Sequence, residues 1–173
     1  MTGFKWLFTG IVFTILTGAG VGYVILKIGA ISANADAKPG VIEKWMARTS
    51  LHATMDREAP KTPDAVALND QNLVAGAQLY KEHCAICHGT MDGAPSPIAR
   101  GENPRPPQLA KEGVEDDPEG ISFWKIKHGI RWTGMPAWES TLSDQQIWTL
   151  ALFLKHMDNL PAVALEALQK SKG

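Results

Sequence analysis

Cys84-Ala85-Ile86-Cys87-His88 contains both cysteines of the 173-residue chain, three positions apart, with a histidine directly after the second. C-x-x-C-H is the attachment signature of a c-type haem. The reason is geometric: thiols at this spacing reach the two vinyl groups on one edge of the macrocycle as thioethers, and the adjacent imidazole falls under the iron as its proximal ligand. Two other chemistries share the spacing. A redox dithiol needs no histidine at that place. A tetrahedral zinc site needs further ligands, for which only scattered histidines remain.

Composition narrows the class around this motif. The chain is 45% hydrophobic and 20% charged, with 17 basic and 18 acidic side chains and a formal net charge of -1. That excludes a disordered tail, a collagen-like repeat and a basic nucleic-acid-binding domain, so no nucleic-acid partner is expected. Two cysteines this close do not staple a small secreted domain.

Upstream, Trp6 to Leu26 is a run of 21 uncharged residues between Lys5 and Lys27. As a helix it spans about 31 Å, the hydrocarbon thickness of a bilayer. Two readings stand. An uncleaved anchor is favoured by length, because the apolar core of a signal peptide runs to about 7–15 residues. A cleaved signal peptide is the rival, since Ala33-Asn34-Ala35 resembles a cleavage site. We divide the chain at 1–35 (anchor and flank, 6–26 spanning), 36–69 (linker with a juxtamembrane helix) and 70–173 (haem domain with a C-terminal helical extension). In the linker, Val41 to Glu58 reads as a helix carrying Ile42, Trp45, Met46, Leu51 and Met55, ended by Pro60 and Pro63. Its apolar positions form no clean stripe, so it either lies on the membrane or packs on the following domain.

Within the haem domain, Asp70 is placed to cap a helix from Gln71 into the motif, with Leu73, Ala77, Tyr80 and Cys84 on one face. Gly76 beside that line lets another helix come close. Asp117-Pro118 reads as a cap followed by proline at the first helical position, opening a helix that ends before Gly129. The last main helix starts at Ser143 with Gln146 completing a capping box, and presents Ile147, Leu150, Ala151 and Leu154 on one face. Pro161 closes it, and weak helical pattern resumes to Leu168. Five prolines between Gly93 and Pro107 make that stretch a loop.

Three blocks carry a resemblance to a known family: Gly76-Ala77-Gln78-Leu79-Tyr80 leading into Cys84–Gly89, then Gly134-Met135-Pro136-Ala137-Trp138, then Ser143 to Leu154. The chain is similar here to class I c-type cytochromes, over roughly residues 70 to 160. The resemblance implies an all-α fold, a class I cytochrome c-like helical haem domain preceded by one transmembrane helix. It implies one covalent haem c held by Cys84, Cys87, His88 and Met135, the iron between His88 and Met135, with Met135 lying 47 residues after His88. Met91, Met157, Met46, Met55, His52, His83 and His128 are better read as surface or packing residues. It further implies that Gly76 and Tyr80 meet Phe153 or Trp148 where the first and last helices cross. A carbonyl of Pro107 or Pro106 accepts the second N–H of His88. Arg105, Arg131 and Trp138 are candidate donors to the propionates.

Iron with both axial positions filled leaves one-electron transfer as the remaining chemistry. The expected protein is an electron carrier rather than an enzyme, anchored by a single pass in a bacterial cytoplasmic membrane with the haem domain on the periplasmic side. Its partners are membrane or periplasmic redox proteins and, through the anchor, the lipid bilayer. Residues 36–173 hold 15 basic and 18 acidic groups, too balanced for long-range steering onto an acidic partner. Two alternatives stay open: a fixed subunit of a larger membrane oxidoreductase, a dehydrogenase or terminal oxidase, and a haem sensor or peroxidase.

Overall fold

A computed structural model describes residues 2–62, 66–92 and 94–169. Among these residues it contains helices and turns and no strand. It divides into two compact units, residues 1–37 and 38–173.

The first unit is a single helix, α1 (Thr2–Lys27), long and apolar enough to cross a membrane, with its side chains almost wholly uncovered by protein. It ends on Gly29, whose φ of +68° is the left-handed turn that glycine adopts at no steric cost. The amide of Ala30 reaches back to the carbonyl of Ile25 and that of Gly29 to Leu26, which satisfies two of the helix's last carbonyls.

In the second unit α2 (Val41–Glu58) has the predicted limits, and the chain leaves the helical region at Ala59, before Pro60. Pro63, the second expected stop, lies outside the described residues. Only the C-terminal half of α2 is packed: Met55 and Ala59 are buried against Trp124, with Leu51 and Ile121 at the edge. The chain then passes directly over α7 (Glu119–His128), because a Cβ on Gly120 would lie 1.9 Å from the Pro60 carbonyl oxygen.

The core is built by α3 (Asp70–His83) and α8 (Asp144–Lys155), with α7 on α8 and α9 (Ala162–Gln169) on α3. α3 buries Leu73, Gly76, Ala77 and Tyr80. At Gly76 the two backbones nearly touch: a Cβ there would stand 2.4 Å from Phe153 Cβ and 2.9 Å from the Thr149 carbonyl oxygen. Tyr80 meets Phe153 with ring centroids 5.5 Å apart, so Phe153 and not Trp148 is the aromatic at the crossing. Trp148 stacks instead on Phe123 at 4.2 Å, fixing α7 on α8. The Ser143 capping box is present, Ser143 Oγ accepting from the Gln146 amide and Gln146 Oε1 from the Ser143 amide.

Three local expectations shift. Asn69, not Asp70, caps α3, because its extended backbone lets Oδ1 accept from the Asn72 amide at 2.8 Å. Pro118 occupies the cap position of α7, and the Asp117 carboxylate is taken by Lys125 at 2.7 Å. The proline-rich stretch is not all loop: Ser96 caps the short helix α5 (Pro97–Gly101), with proline at its first position, and the one-turn α6 (Leu109–Glu112) follows the stretch. Gly93, at the start of that stretch, lies outside the described residues.

Candidate haem-attachment site

α3 delivers the motif. Its last amide bond, Cys84 N–H to the Tyr80 carbonyl at 2.8 Å, leads into the one-turn helix α4 (Ala85–His88). The amides of Cys87 and His88 both donate back to the Cys84 carbonyl, at 3.1 and 2.9 Å. Residues three and four apart on such a turn are neighbours, so the two thiols and the imidazole occupy one side of it. Gly89 ends the turn at φ +77°, where a Cβ would strike Gln108 Oε1 at 2.4 Å. The buried Tyr80 hydroxyl donates to the Gly89 carbonyl at 2.8 Å and holds this exit onto the core.

His88 Nδ1 lies 2.9 Å from the Pro107 carbonyl oxygen. A carbonyl only accepts, so Nδ1 carries a proton, which leaves Nε2 as the nitrogen that a neutral imidazole offers to a metal. Pro107 is therefore the source of this bond, and Pro106 has a different task. Gln108, which sequence reasoning missed, is buried and donates from Nε2 to the carbonyls of Cys87 at 3.2 Å and Pro106 at 3.1 Å. It ties the segment carrying Pro107 to the motif turn. Ser96 Oγ likewise donates to the Ile86 carbonyl. Only the glutamine following two prolines was visible in sequence, and that carries no recognised signal.

Both thiols are free. Burial, and then the neighbouring Cys87, pushes the Cys84 thiol up to about 12; burial, then a hydrogen bond to Glu102 and its charge, pushes Cys87 up to about 11. A working redox dithiol lowers its nucleophilic thiol instead. Among the described residues no three His, Cys, Asp or Glu side chains converge on a metal position, which leaves a zinc half-site without its other half. The donor set fits a haem: two protonated thiols on one turn, and an imidazole with its lone pair oriented by a backbone carbonyl.

Met135 is half-buried on the loop after α7 and packs against the main core. That loop folds back tightly on the helix end. A Cβ on Gly129 (φ +65°) would lie 2.6–2.8 Å from backbone atoms of Met135, Pro136 and Ala137. The Met135 amide donates to Thr133 Oγ1 at 3.1 Å, and Thr133 Oγ1 donates to the Ile130 carbonyl at 2.7 Å. Trp132 holds a positive φ of 63°, uncommon for a bulky side chain, with the Arg131 guanidinium 5.2 Å from its ring centroid. Glu102 connects this loop with the motif: Oε1 accepts from Cys87 Sγ at 3.2 Å, and Oε2 lies 2.2 Å from where a Gly134 Cβ would stand. Cys87 and the Gly134-Met135 segment thus face the same carboxylate.

Several of the other sulfur and imidazole groups have neighbours of their own. Met157 is fully buried in the core, Met55 packs on Trp124, and Met46 and Met91 are exposed. The His83 ring lies 4.9 Å from Trp138, and His128 lies 3.9 Å from Glu139. Arg105 is exposed.

Helical packing and an attachment turn of this kind define a c-type cytochrome. Residues 71–154 match the family profile described as cytochrome C oxidase, cbb3-type, subunit III. Over that stretch the chain is similar to a c-type cytochrome domain, and an apolar helix stands N-terminal to it. No curated protein matches it significantly. A solved structure, the reducing HAO-like protein complex of Kuenenia stuttgartiensis, aligns at 18% identity over 60% of this chain and 53% of its own, with a TM-score of 0.46. The match therefore spans about half of that structure's chain.

Proposed function

We propose that this protein is a membrane-anchored carrier of single electrons with one haem c, attached through Cys84 and Cys87 and ligated by His88 and Met135. One C-x-x-C-H in the sequence supports one haem. Haem c held by these residues would supply a one-electron couple at its iron, with His88 and Met135 as the side chains that would ligate it. The chain's residues do the rest. Pro107 keeps the His88 lone pair on Nε2, Gln108 holds Pro107 in place, and the tight loop from Gly129 fixes the approach of Met135. The His88 Nδ1 to Pro107 contact at 2.9 Å is the observation that carries this reading, because it prepares the imidazole as a ligand.

In this reading α1 spans the bacterial cytoplasmic membrane and the haem domain faces the periplasm, where it meets membrane and periplasmic redox partners. Protease treatment of spheroplasts is expected to digest the haem domain; full protection overturns the topology. Alkaline pyridine spectra of the purified protein are expected to give one thioether-linked haem per chain. A chain in which Cys84→Ala and Cys87→Ala together still retain covalent haem contradicts the attachment.

One observation favours a second reading, a fixed subunit of a larger membrane oxidoreductase: the matching family profile is described as an oxidase subunit. Purification from native membranes separates the two readings. A stoichiometric partner that stays bound supports the subunit, and a chain that purifies alone supports the mobile carrier.

A further inference from the structure

The two halves of α2 point their apolar residues in different directions. Leu51 and Met55 pack toward α7, and Met55 is 4% exposed. In the first two turns Val41, Ile42, Trp45 and Met46 are 86%, 72%, 65% and 55% exposed. At 3.6 residues per turn these four fall within an arc of about 140°, whose centre is about 130° round the helix from the packed pair. Further along the same arc stand Thr49, His52 and Asp56, so the apolar patch is confined to the N-terminal half of α2.

We infer that this patch docks into the lipid headgroup interface and gives the haem domain a second membrane contact beside α1. The inference rests on α1 being a membrane anchor. Three observations favour lipid as the occupant. Only 13 residues, Ile28 to Gly40, separate α1 from α2, a tether whose coil dimension is about 20 Å and whose full extension is about 45 Å. The patch is thereby kept at high local concentration beside the bilayer. Its charge also fits anionic headgroups: in residues 28–52 Lys38, Lys44 and Arg48 outnumber the two acids, Asp36 and Glu43. Residues 53–173, in contrast, hold 12 basic and 16 acidic groups. A helix with a tryptophan on its apolar arc, Arg48 at the border of that arc and Lys44 further round has the makeup of an interfacial helix. With its other face packed on α7, α2 would then fix which side of the haem domain faces the membrane.

Spin labels on the full-length haem-loaded protein, reconstituted in vesicles of phosphatidylcholine and phosphatidylglycerol, test this. Labels go at Ile15→Cys in α1, Met46→Cys in the patch and Gln145→Cys in the exposed first turn of α8, and accessibility to oxygen and to a water-soluble nickel chelate is compared. The Met46→Cys site is expected to show an oxygen-to-nickel ratio severalfold above that of Gln145→Cys. Lys44→Glu with Arg48→Glu is expected to bring it down, and vesicles without phosphatidylglycerol to do the same. An aqueous ratio at Met46→Cys with a lipid ratio at Ile15→Cys overturns the interface contact and leaves the anchor standing. Aqueous ratios at both overturn the anchor and the contact together. An immobilised label at Met46→Cys shielded from both reagents means that protein covers the patch, and also overturns the inference.

Discussion

Gly76→Ala adds one methyl group where α3 crosses α8, and the structure sets what that methyl meets. The new Cβ stands 2.4 Å from Phe153 Cβ and 2.9 Å from the Thr149 carbonyl oxygen, against an ordinary carbon contact of about 3.5–4.0 Å. Neither obstacle is the free end of a flexible side chain, so the helices must separate by about 1 Å. That loosens the Tyr80–Phe153 contact, the centre of the core. Overpacking of this kind costs about 3 kcal/mol, and the better helix propensity of alanine returns about 1. The net loss of about 2 kcal/mol, in a unit of 136 residues, lowers the midpoint of thermal unfolding by about 8 °C. Far-ultraviolet circular dichroism of the haem-loaded protein, with α1 kept in detergent, measures it. Gly120→Ala, which would collide with the Pro60 carbonyl at the α2 edge, serves as a second site for the same close-approach argument. If Gly76→Ala unfolds at the wild-type temperature or above it, α3 and α8 do not cross at the described distance.

Further outcomes follow from the site. Burial, and then the neighbouring Cys84, raises the Tyr80 phenol above its ordinary value of about 10, so the folded state holds the proton more tightly than the unfolded chain. That stabilisation is complete below pH about 10 and is lost as pH rises toward the folded value, by up to about 1.4 kcal/mol per pH unit. In denaturant titrations Tyr80→Phe should lack this alkaline slope, while losing about 1–2 kcal/mol at neutral pH as the Gly89 carbonyl loses its buried donor. Gln108→Leu deprives two carbonyls of their donor and should cost about 2–3 kcal/mol, with less haem incorporated per chain. Ser143→Ala removes the α8 cap and should cost about 1 kcal/mol, leaving the visible spectrum unchanged.

The parts of the fold legible in the sequence are those set by short-range patterns. The limits of α2, the buried face of α3 and the Ser143–Gln146 box all follow from periodicity and capping within a few residues. Misreadings arose where two neighbours compete for one role. Asn69 and Asp70 can each cap a helix, and Asp117 is claimed by Lys125, eight residues away. The proline count from Pro95 to Pro107 hid the Ser96-Pro97 start of α5. For α2, the two alternatives of packing on the domain and lying on the membrane belong to different halves of the helix: the structure packs the second half, and the inferred lipid contact uses the first. Long-range ties were illegible. Gln108 acts on carbonyls of Cys87 and Pro106, Glu102 faces both Cys87 and Gly134, and Lys155 donates to carbonyls of Glu115 and Asp117 about 40 positions earlier. Such contacts depend on the finished fold and leave no local pattern. The proposed attachment residues Cys84, Cys87 and His88 stand out in the sequence because haem attachment requires that spacing, whereas the proposal of Met135 rests on its Gly-Met-Pro context.

The central claim is an iron held between His88 and Met135, and proton NMR of the reduced protein tests it most directly. A methionine bound to haem iron places its methyl protons over the macrocycle, where the ring current shifts them far upfield. The account predicts one such upfield methyl signal in the wild type and its loss in Met135→Ala, with the haem still covalently attached. An upfield methionine methyl that persists in Met135→Ala, or is absent from the wild type, would contradict it.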